Sequence, residues 1–129
     1  MKLRPYREDD FDPLLELFNR HQLAAFGEAD ATADELRTWL TTPYVDVERD
    51  IRLLVDDGRL LGYADVDPTR DEPPRWWCDV RVDPEVDAGE AVSLLVGWID
   101  GRAAPQGGTV RVWTSETDTR VTGAFGALG

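Results

Sequence analysis

The residues that could do chemistry concentrate in one stretch, Arg75 to Arg102, where a strand is followed by an acidic loop and a helix. A helix start presents free backbone N–H groups, which bind anions when the preceding loop lets a ligand approach. Four carboxylates surround this helix start: Asp83, Glu85, Asp87 and Glu90. Carboxylates stabilise a helix N-terminus by about 0.3–1 kcal/mol each, and they repel other anions. The pattern therefore favours a self-capped helix over an anion site.

Three other side chains have acid–base, nucleophilic or ligand chemistry. Asp79 lies on the strand and is either a general base or a solvated aspartate beside Arg81. His21 is the single histidine, on an apolar helix stripe, where a buried or rim histidine is the more usual role. Cys78 alternates with buried positions, which indicates an inert thiol. With one histidine and one cysteine, the sequence predicts no metal site and no internal disulfide.

The elements that position these residues follow from hydrophobic periodicity. The strand alternates, and one face carries Trp76, Cys78, Val80 and Val82. The helix after it shows an apolar stripe at helical spacing, made of Ala91, Leu94, Leu95 and Trp98. Asp87 with Glu90 predicts a capped start, and Gly101 predicts the end of the helix.

Two helices precede that unit. A short strand is predicted over Lys2 to Tyr6, and a helix is predicted to start at Asp12, with Pro13 in its first turn, and to end at Gly27. Its apolar stripe is Leu14, Phe18, His21 and Ala25, with Leu17 beside it. A capping box over Thr32 to Glu35 starts the second helix, and Pro43 stops it.

The remaining elements complete an α/β order. Strands over Asp50 to Asp56 and Leu60 to Val66 are joined by an Asp57-Gly58 hairpin turn, with a bulge at Gly62. The later segments are a loop over Pro68 to Pro74, a loop over Pro105 to Gly108, a strand over Thr109 to Ser115 and a helix over Thr117 to Leu128. The order β-α-α-β-β-β-α-β-α predicts an α/β (α+β) fold: a mixed, mostly antiparallel sheet with helices on both faces.

Composition narrows the classes of partner. The chain has 129 residues, enough for one domain with a buried core. Its net charge of −12 argues against nucleic-acid and anionic-membrane partners. No apolar run is long enough to span a membrane, and the N-terminus lacks the apolar segment of a signal peptide. We therefore expect a cytoplasmic protein.

The element order, the G-Y-A-D-V strand of Gly62 to Val66 and the V-D-P turn of Val82 to Pro84 resemble the GNAT superfamily of acyl-CoA-dependent N-acyltransferases. The resemblance covers the whole chain. The ending Gly123 to Gly129 is similar to the family's A-L-Y-x-x-L-G-F segment. The resemblance thus implies a single GNAT-like domain over residues 1–129 that lacks the last two strands. It further implies a chain truncated at its C-terminal end, the front part of a longer or tandem GNAT protein.

The resemblance also implies a site. In the family, the backbone of the strand Arg75 to Val82 positions the thioester, and the next loop, R-G-x-G-x-G/A, wraps the pyrophosphate. This implies acetyl-CoA contacts at Arg81, Val82, Asp87, Ala88, Gly89, Glu90, Ala91 and Val92. Only Gly89 is a glycine, and it is out of register, so the loop is atypical. Asp79 takes the place of the general base, and His21 borders the acceptor pocket. Asp118 and Phe125 stand where the family often has Asn and Tyr.

Two functions from different classes follow. The first is an acetyl-CoA-dependent N-acetyltransferase that acts on a small or basic amine, because an acidic surface attracts cations. The alternative is a catalytically degenerate GNAT repeat that serves as a structural or binding module for an active partner domain. Its partner would be a second GNAT domain or another copy in a homo-oligomer. The tryptophans Trp77 and Trp113 are candidates for such an interface.

Overall fold

The computed structural model describes residues 1–29, 31–42, 45–68, 75–106 and 109–113. The strands are β1 (Lys2–Arg4), β2 (Ile51–Asp56), β3 (Arg59–Pro68), β4 (Arg75–Val82) and β5 (Thr109–Trp113). The helices are α1 (Phe11–Phe26), α2 (Ala33–Leu40) and α3 (Ala88–Ala103). Within the described ranges, no helix is long and apolar enough to cross a membrane. The predicted helix over Thr117 to Leu128 lies outside the described residues.

The five strands form one sheet in sequence order, β1-β2-β3-β4-β5. The first three pairings are antiparallel, and β4 pairs with β5 in parallel. A parallel pair needs a crossover connection, and α3 provides it between β4 and β5. The expectation of a mixed, mostly antiparallel sheet is confirmed.

The hairpin between β2 and β3 sets the register of the sheet. Asp57 and Gly58 both have positive φ, 50° and 74°, as a tight two-residue hairpin turn requires. The pairing shifts between Leu54, which faces Gly62, and Val55, which faces Leu60. The bulge predicted at Gly62 is therefore present beside it, and a Cβ at Gly62 would lie only 3.2 Å from the Leu54 Cβ.

The sheet has a helical layer on each face, and each layer encloses its own core. Helices α1 and α2 cover one face. The core between them and the strands contains Leu14, Leu17, Leu36 and Leu40 from the helices and Ile51, Leu53 and Tyr63 from the sheet. Helix α3 covers the other face through Leu54, Trp76, Cys78, Val80, Val82, Val92, Leu95 and Ile99. The predicted buried face of β4 and the prediction of helices on both faces are confirmed.

The start of α1 differs from the expectation. The helix begins at Phe11, and the N-cap position belongs to Asp10 instead of Asp12. A short 3₁₀ turn over Glu8–Asp10 precedes it. The Asp10 carboxylate accepts two hydrogen bonds from the Arg4 guanidinium, at 2.6 and 2.7 Å. This ion pair links β1 to the turn and fixes where the helix starts. Capping patterns consider only residues next to the helix start, so they do not predict it.

The buried side of α3 also differs from the expectation. Leu94 is 36% exposed, whereas Val92 and Ile99 are fully buried. The helix passes through Gly101 and continues to Ala103, so Gly101 is not its end. Both the predicted and the observed stripes contain Ala91 and Leu95, so periodicity alone could not distinguish them. The way the helix lies on the sheet selects the stripe.

Candidate functional site

A cleft of about 370 Å³ lies between the helical layer of α1 and α2 and the strands β3 and β4. Its walls come from α1, α2 and their connection: Phe18, Gln22, Ala31, Thr32, Glu35, Leu36 and Trp39. Its floor comes from the two strands: Tyr63, Asp65, Asp67, Trp77, Cys78, Asp79 and Arg81. This volume is within the range of small-molecule sites.

The floor of the cleft holds a buried carboxyl group, Asp65, which is 7% exposed. The register of β3 and β4 places Asp65 opposite Asp79. Asp65 accepts hydrogen bonds from the Tyr63 hydroxyl at 2.5 Å and from the Asp79 backbone N–H at 3.2 Å. Burial, and then the charge of Asp79, raise the pKa of Asp65 to about 7. This carboxyl group can therefore take up and release a proton near neutral pH.

A hydrogen-bond chain orients Asp65. The Trp39 indole N–H donates to the Tyr63 hydroxyl oxygen at 3.0 Å, and that hydroxyl donates to Asp65. The Tyr63 ring also meets Phe18 edge-on, with ring centroids 5.0 Å apart. Burial, followed by the charges of Asp65 and Asp79, raises the pKa of Tyr63 well above its ordinary value. The hydroxyl group therefore stays protonated and remains a donor to Asp65.

Asp79, the predicted catalytic base, does lie in the cleft. Its carboxylate accepts a hydrogen bond from the Arg81 Nε at 3.1 Å. The Arg81 guanidinium lies 4.2 Å from the centroid of the Phe18 ring. Asp79 is thus held by a cation, whereas Asp65 across the strand pair has the raised pKa. Asp65 is absent from the residues predicted from the sequence, although one signal was present: a carboxylate two residues after Tyr63, on the inward face of β3.

The other predicted chemical residues lie elsewhere or are inert. His21 is 5% exposed on α1 and does not belong to the described lining of the cleft. Its role at an acceptor pocket stays a prediction. Burial, with a contribution from Asp65, raises the pKa of Cys78 to about 12, so the thiol stays protonated. In the described part of the chain, no group of three His, Cys, Asp or Glu side chains is placed to hold a metal ion.

The loop between β4 and α3 is acidic, and two of its carboxylates, Asp83 and Glu85, form ion pairs with arginines of other elements. The Asp83 side chain is fully buried and makes a forked ion pair with Arg20, at 2.8 and 3.1 Å. Arg59 approaches Asp83 at 3.4 Å, and the Glu85 backbone N–H donates to it at 2.8 Å. Arg20 and Arg59 each also contact the Glu85 carboxylate at 3.2 Å. The loop is therefore tied to α1 and to the start of β3.

The predicted acetyl-CoA contacts do not form one cradle. Val82, Ala91 and Val92 are fully buried in the core under α3, while Arg81 faces the cleft. Of the residues at the helix start, Asp87, Ala88, Gly89 and Glu90, the first caps the helix as expected. Its carboxylate accepts the Gly89 N–H at 2.9 Å. A diphosphate needs free N–H groups and positive charge, so the start of α3 does not fit one.

No protein-family model and no curated protein sequence matches the chain. Solved structures do match. A GCN5-related N-acetyltransferase from Sphaerobacter thermophilus is 20% identical with a TM-score of 0.85, over 99% of this chain and 42% of that one. A ribosomal-protein-alanine N-acetyltransferase from Brucella melitensis is 17% identical with a TM-score of 0.73, over 100% and 83% of the two chains. The protein yncA from Salmonella typhimurium, solved with its cofactor acetyl-CoA, is 16% identical with a TM-score of 0.74, over 99% of this chain and 78% of that one.

These likenesses establish the class of fold. The chain has the fold of the GNAT acetyltransferases, with the sheet and the three helices described above. It spans less than half of the Sphaerobacter chain and about four fifths of the other two. At sequence identities of 20% or less, these likenesses show the fold alone. The activity depends on the residues of the cleft.

Proposed function

We propose that this chain is an N-acetyltransferase domain whose cleft holds a cationic amine and accepts the proton that the amine loses. The observation that carries the proposal is Asp65, a buried carboxyl group at the floor of the cleft with a pKa of about 7. A general base works best when its pKa lies near the working pH. The GNAT fold supports acyl transfer as the reaction class.

The neighbours of Asp65 have separate roles in this proposal. Asp79 is held by Arg81, and its negative charge makes Asp65 more basic and attracts an ammonium group. The Tyr63 hydroxyl orients the Asp65 carboxylate by donating to it. An amine attacks a thioester only as the free base, so proton uptake by Asp65 would generate the nucleophile inside the cleft.

The proposed acyl donor is acetyl-CoA, the cofactor of one structural neighbour. The self-capped start of α3 and its carboxylates offer the diphosphate no favourable contact. We therefore expect weaker binding of acetyl-CoA than in a protein with a glycine-rich loop, and we assign no step to that end of the domain.

The test is an assay of acetyl transfer from acetyl-CoA to a panel of primary amines. The rate is measured from the release of the free thiol of CoA. We expect Asp65→Asn to lower the rate by about 10²–10⁴-fold, the usual contribution of a general base. The matched control is Asp12→Asn, an exposed carboxylate of α1 away from the cleft lining. Transfer at the wild-type rate by folded Asp65→Asn protein would overturn the proposal.

The second candidate is a catalytically degenerate GNAT repeat that serves as a structural or binding module for an active partner domain. The observation that favours it is the start of α3, where the Asp87 carboxylate accepts the hydrogen bond of the Gly89 N–H. That N–H group is therefore not free to bind a phosphate. The Sphaerobacter neighbour, more than twice as long as this chain, is compatible with it. Isothermal titration separates the two. Micromolar binding of acetyl-CoA, about −8 kcal/mol, supports the enzyme, whereas amine binding without any binding of acetyl-CoA supports the module.

A further inference from the structure

The described lining of the cleft carries more negative charge than one ammonium group can neutralise. Four carboxyl groups line it, and Arg81 is the single cation among its described lining residues. The four carboxyl groups are Glu35, Asp65, Asp67 and Asp79. Among the described lining residues, negative charges exceed positive ones by three when all four carboxyl groups are ionised, and by two when Asp65 holds a proton. A ligand with one positive charge leaves part of this charge uncompensated, so the cleft favours a ligand with at least two.

The carboxylates are arranged as two positions along one pair of strands. Asp65 faces Asp79 across β3 and β4, and Asp67 faces Trp77 one step further along the same two strands. Residues two apart in a strand share a face and are separated by roughly 7 Å. The two nitrogen atoms of an extended diamine with four or five carbons are roughly this far apart. The inner position is a carboxylate pair, and the outer position is a carboxylate beside an aromatic ring.

Both positions suit an ammonium group. At the inner position, buried Asp65 has Asp79 opposite it and the Tyr63 hydroxyl as donor. At the outer position, a cation could contact the Asp67 carboxylate and the face of the half-buried Trp77 indole. Burial, and then the charge of Asp50, raise the pKa of Asp67, as expected where negative charge is in excess. Aromatic side chains such as Phe18 and Trp39 give apolar walls for an alkyl chain.

We propose that the ligand of this cleft is an aliphatic diamine or polyamine, with one ammonium group at Asp65–Asp79 and a second at Asp67 beside Trp77. This inference rests on the proposed function, since it specifies the amine. It also separates amines from amino acids. An amino acid with a side-chain ammonium adds a carboxylate, which the cleft would repel.

The experiment is isothermal titration of the full chain with three probes at one pH and low salt. The probes are 1,5-diaminopentane, pentylamine and lysine, which share a five-carbon chain. The diamine has two ammonium groups, pentylamine has one, and lysine has two together with a carboxylate. We expect the diamine to bind at least 10-fold tighter than pentylamine and also tighter than lysine. In Asp67→Asn protein, the preference for the diamine should fall below about 3-fold, because the diamine loses more affinity than pentylamine does. Glu48→Gln, an exposed position outside the cleft lining, is the matched control.

The outcomes separate this inference from the function on which it rests. Equal binding of the diamine and pentylamine by wild-type protein overturns the diamine assignment and leaves an amine site standing. Tighter binding of lysine than of the diamine overturns it as well. Failure of all three probes to bind a folded protein overturns both the diamine assignment and the amine cleft. The wild-type comparison needs no variant, so its result does not depend on how Asp67→Asn folds.

Discussion

Two carboxyl groups in this domain, Asp83 and Asp65, are both buried but differ in how their charge is balanced. Asp83 is fully buried and is neutralised by Arg20, with Arg59 nearby. Asp65 is 7% exposed and accepts hydrogen bonds from a hydroxyl group and a backbone N–H, with a second carboxylate opposite. In the first arrangement, guanidinium groups balance the charge, while the second favours the protonated form of Asp65 and raises its pKa. Burial alone therefore does not distinguish these two carboxyl groups, whereas their charge balance does.

The largest expected effect on stability concerns Asp83 and its ion pairs with arginine. Replacing Asp83 by Asn removes the charge that two arginines contact and should lower the free energy of unfolding by about 2–3 kcal/mol, because hydrogen bonds to charged groups are lost. The value stays below that for a wholly buried pair, since the Arg20 side chain is 34% exposed and can be hydrated. Urea denaturation at pH 7 measures it. An unchanged midpoint would show that the Asp83 ion pairs are not structural.

Replacing Asp65 by Asn should change stability in the opposite direction. The unfolded carboxyl group loses its proton near 3.8 and the folded one near 7, so the folded state holds more protons in between. Wild-type stability should therefore fall as the pH rises from about 4 to about 7. Asp65→Asn protein lacks this loss and should be more stable than wild type at pH 8 by on the order of 1–2 kcal/mol. Denaturation midpoints of both proteins at pH 4, 6 and 8 test this.

The control for that experiment is Asp12→Asn, an exposed carboxylate of α1 outside the described cleft lining. If wild type and Asp65→Asn keep a constant difference from pH 4 to pH 8, Asp65 titrates normally. The two carboxylates would then not differ in the way described above.

A smaller effect is expected at the start of α3. Replacing Asp87 by Arg together with Glu90 by Gly removes two carboxylates and adds a cation, so acetyl-CoA should bind several-fold tighter, about 1 kcal/mol. Asp87→Asn is the matched variant, since Asn keeps the cap that Asp87 provides to Gly89 and removes only charge. Isothermal titration gives the affinities. If the double variant binds no better than wild type, charge at this helix start does not limit the affinity for acetyl-CoA.

The smallest effect is expected for Arg59→Gln. The Arg59 side chain is 53% exposed, and Asp83 keeps its forked pair with Arg20 when Arg59 is lost. Exposed ion pairs contribute about 0.2–1 kcal/mol, so the free energy of unfolding should fall by less than about 1 kcal/mol. The same denaturation assay compares it with Asp83→Asn. A loss as large as that of Asp83→Asn would assign the neutralising role to Arg59 instead of Arg20.

Local patterns predicted much of the fold but only part of the site. The alternation of β4 placed Trp76 and Val80 in the core, and Asp57-Gly58 marked the hairpin, because both depend on neighbouring residues alone. Asp79 was named because of its place on β4. Asp65 was missed, because its raised pKa depends on burial under α1 and α2 and on a pairing with Asp79 fourteen residues away.

The amino-acid sequence by itself determined the alternating strands, the caps at Thr32 and Asp87 and the acidic character of the loop before α3. Each of these depends on a few adjacent residues and on backbone geometry. Only the tertiary structure decided which stripe of α3 is buried, which carboxylates meet arginines and which meet each other. Those outcomes depend on sheet register and helix docking, because electrostatic energies change steeply with distance and burial.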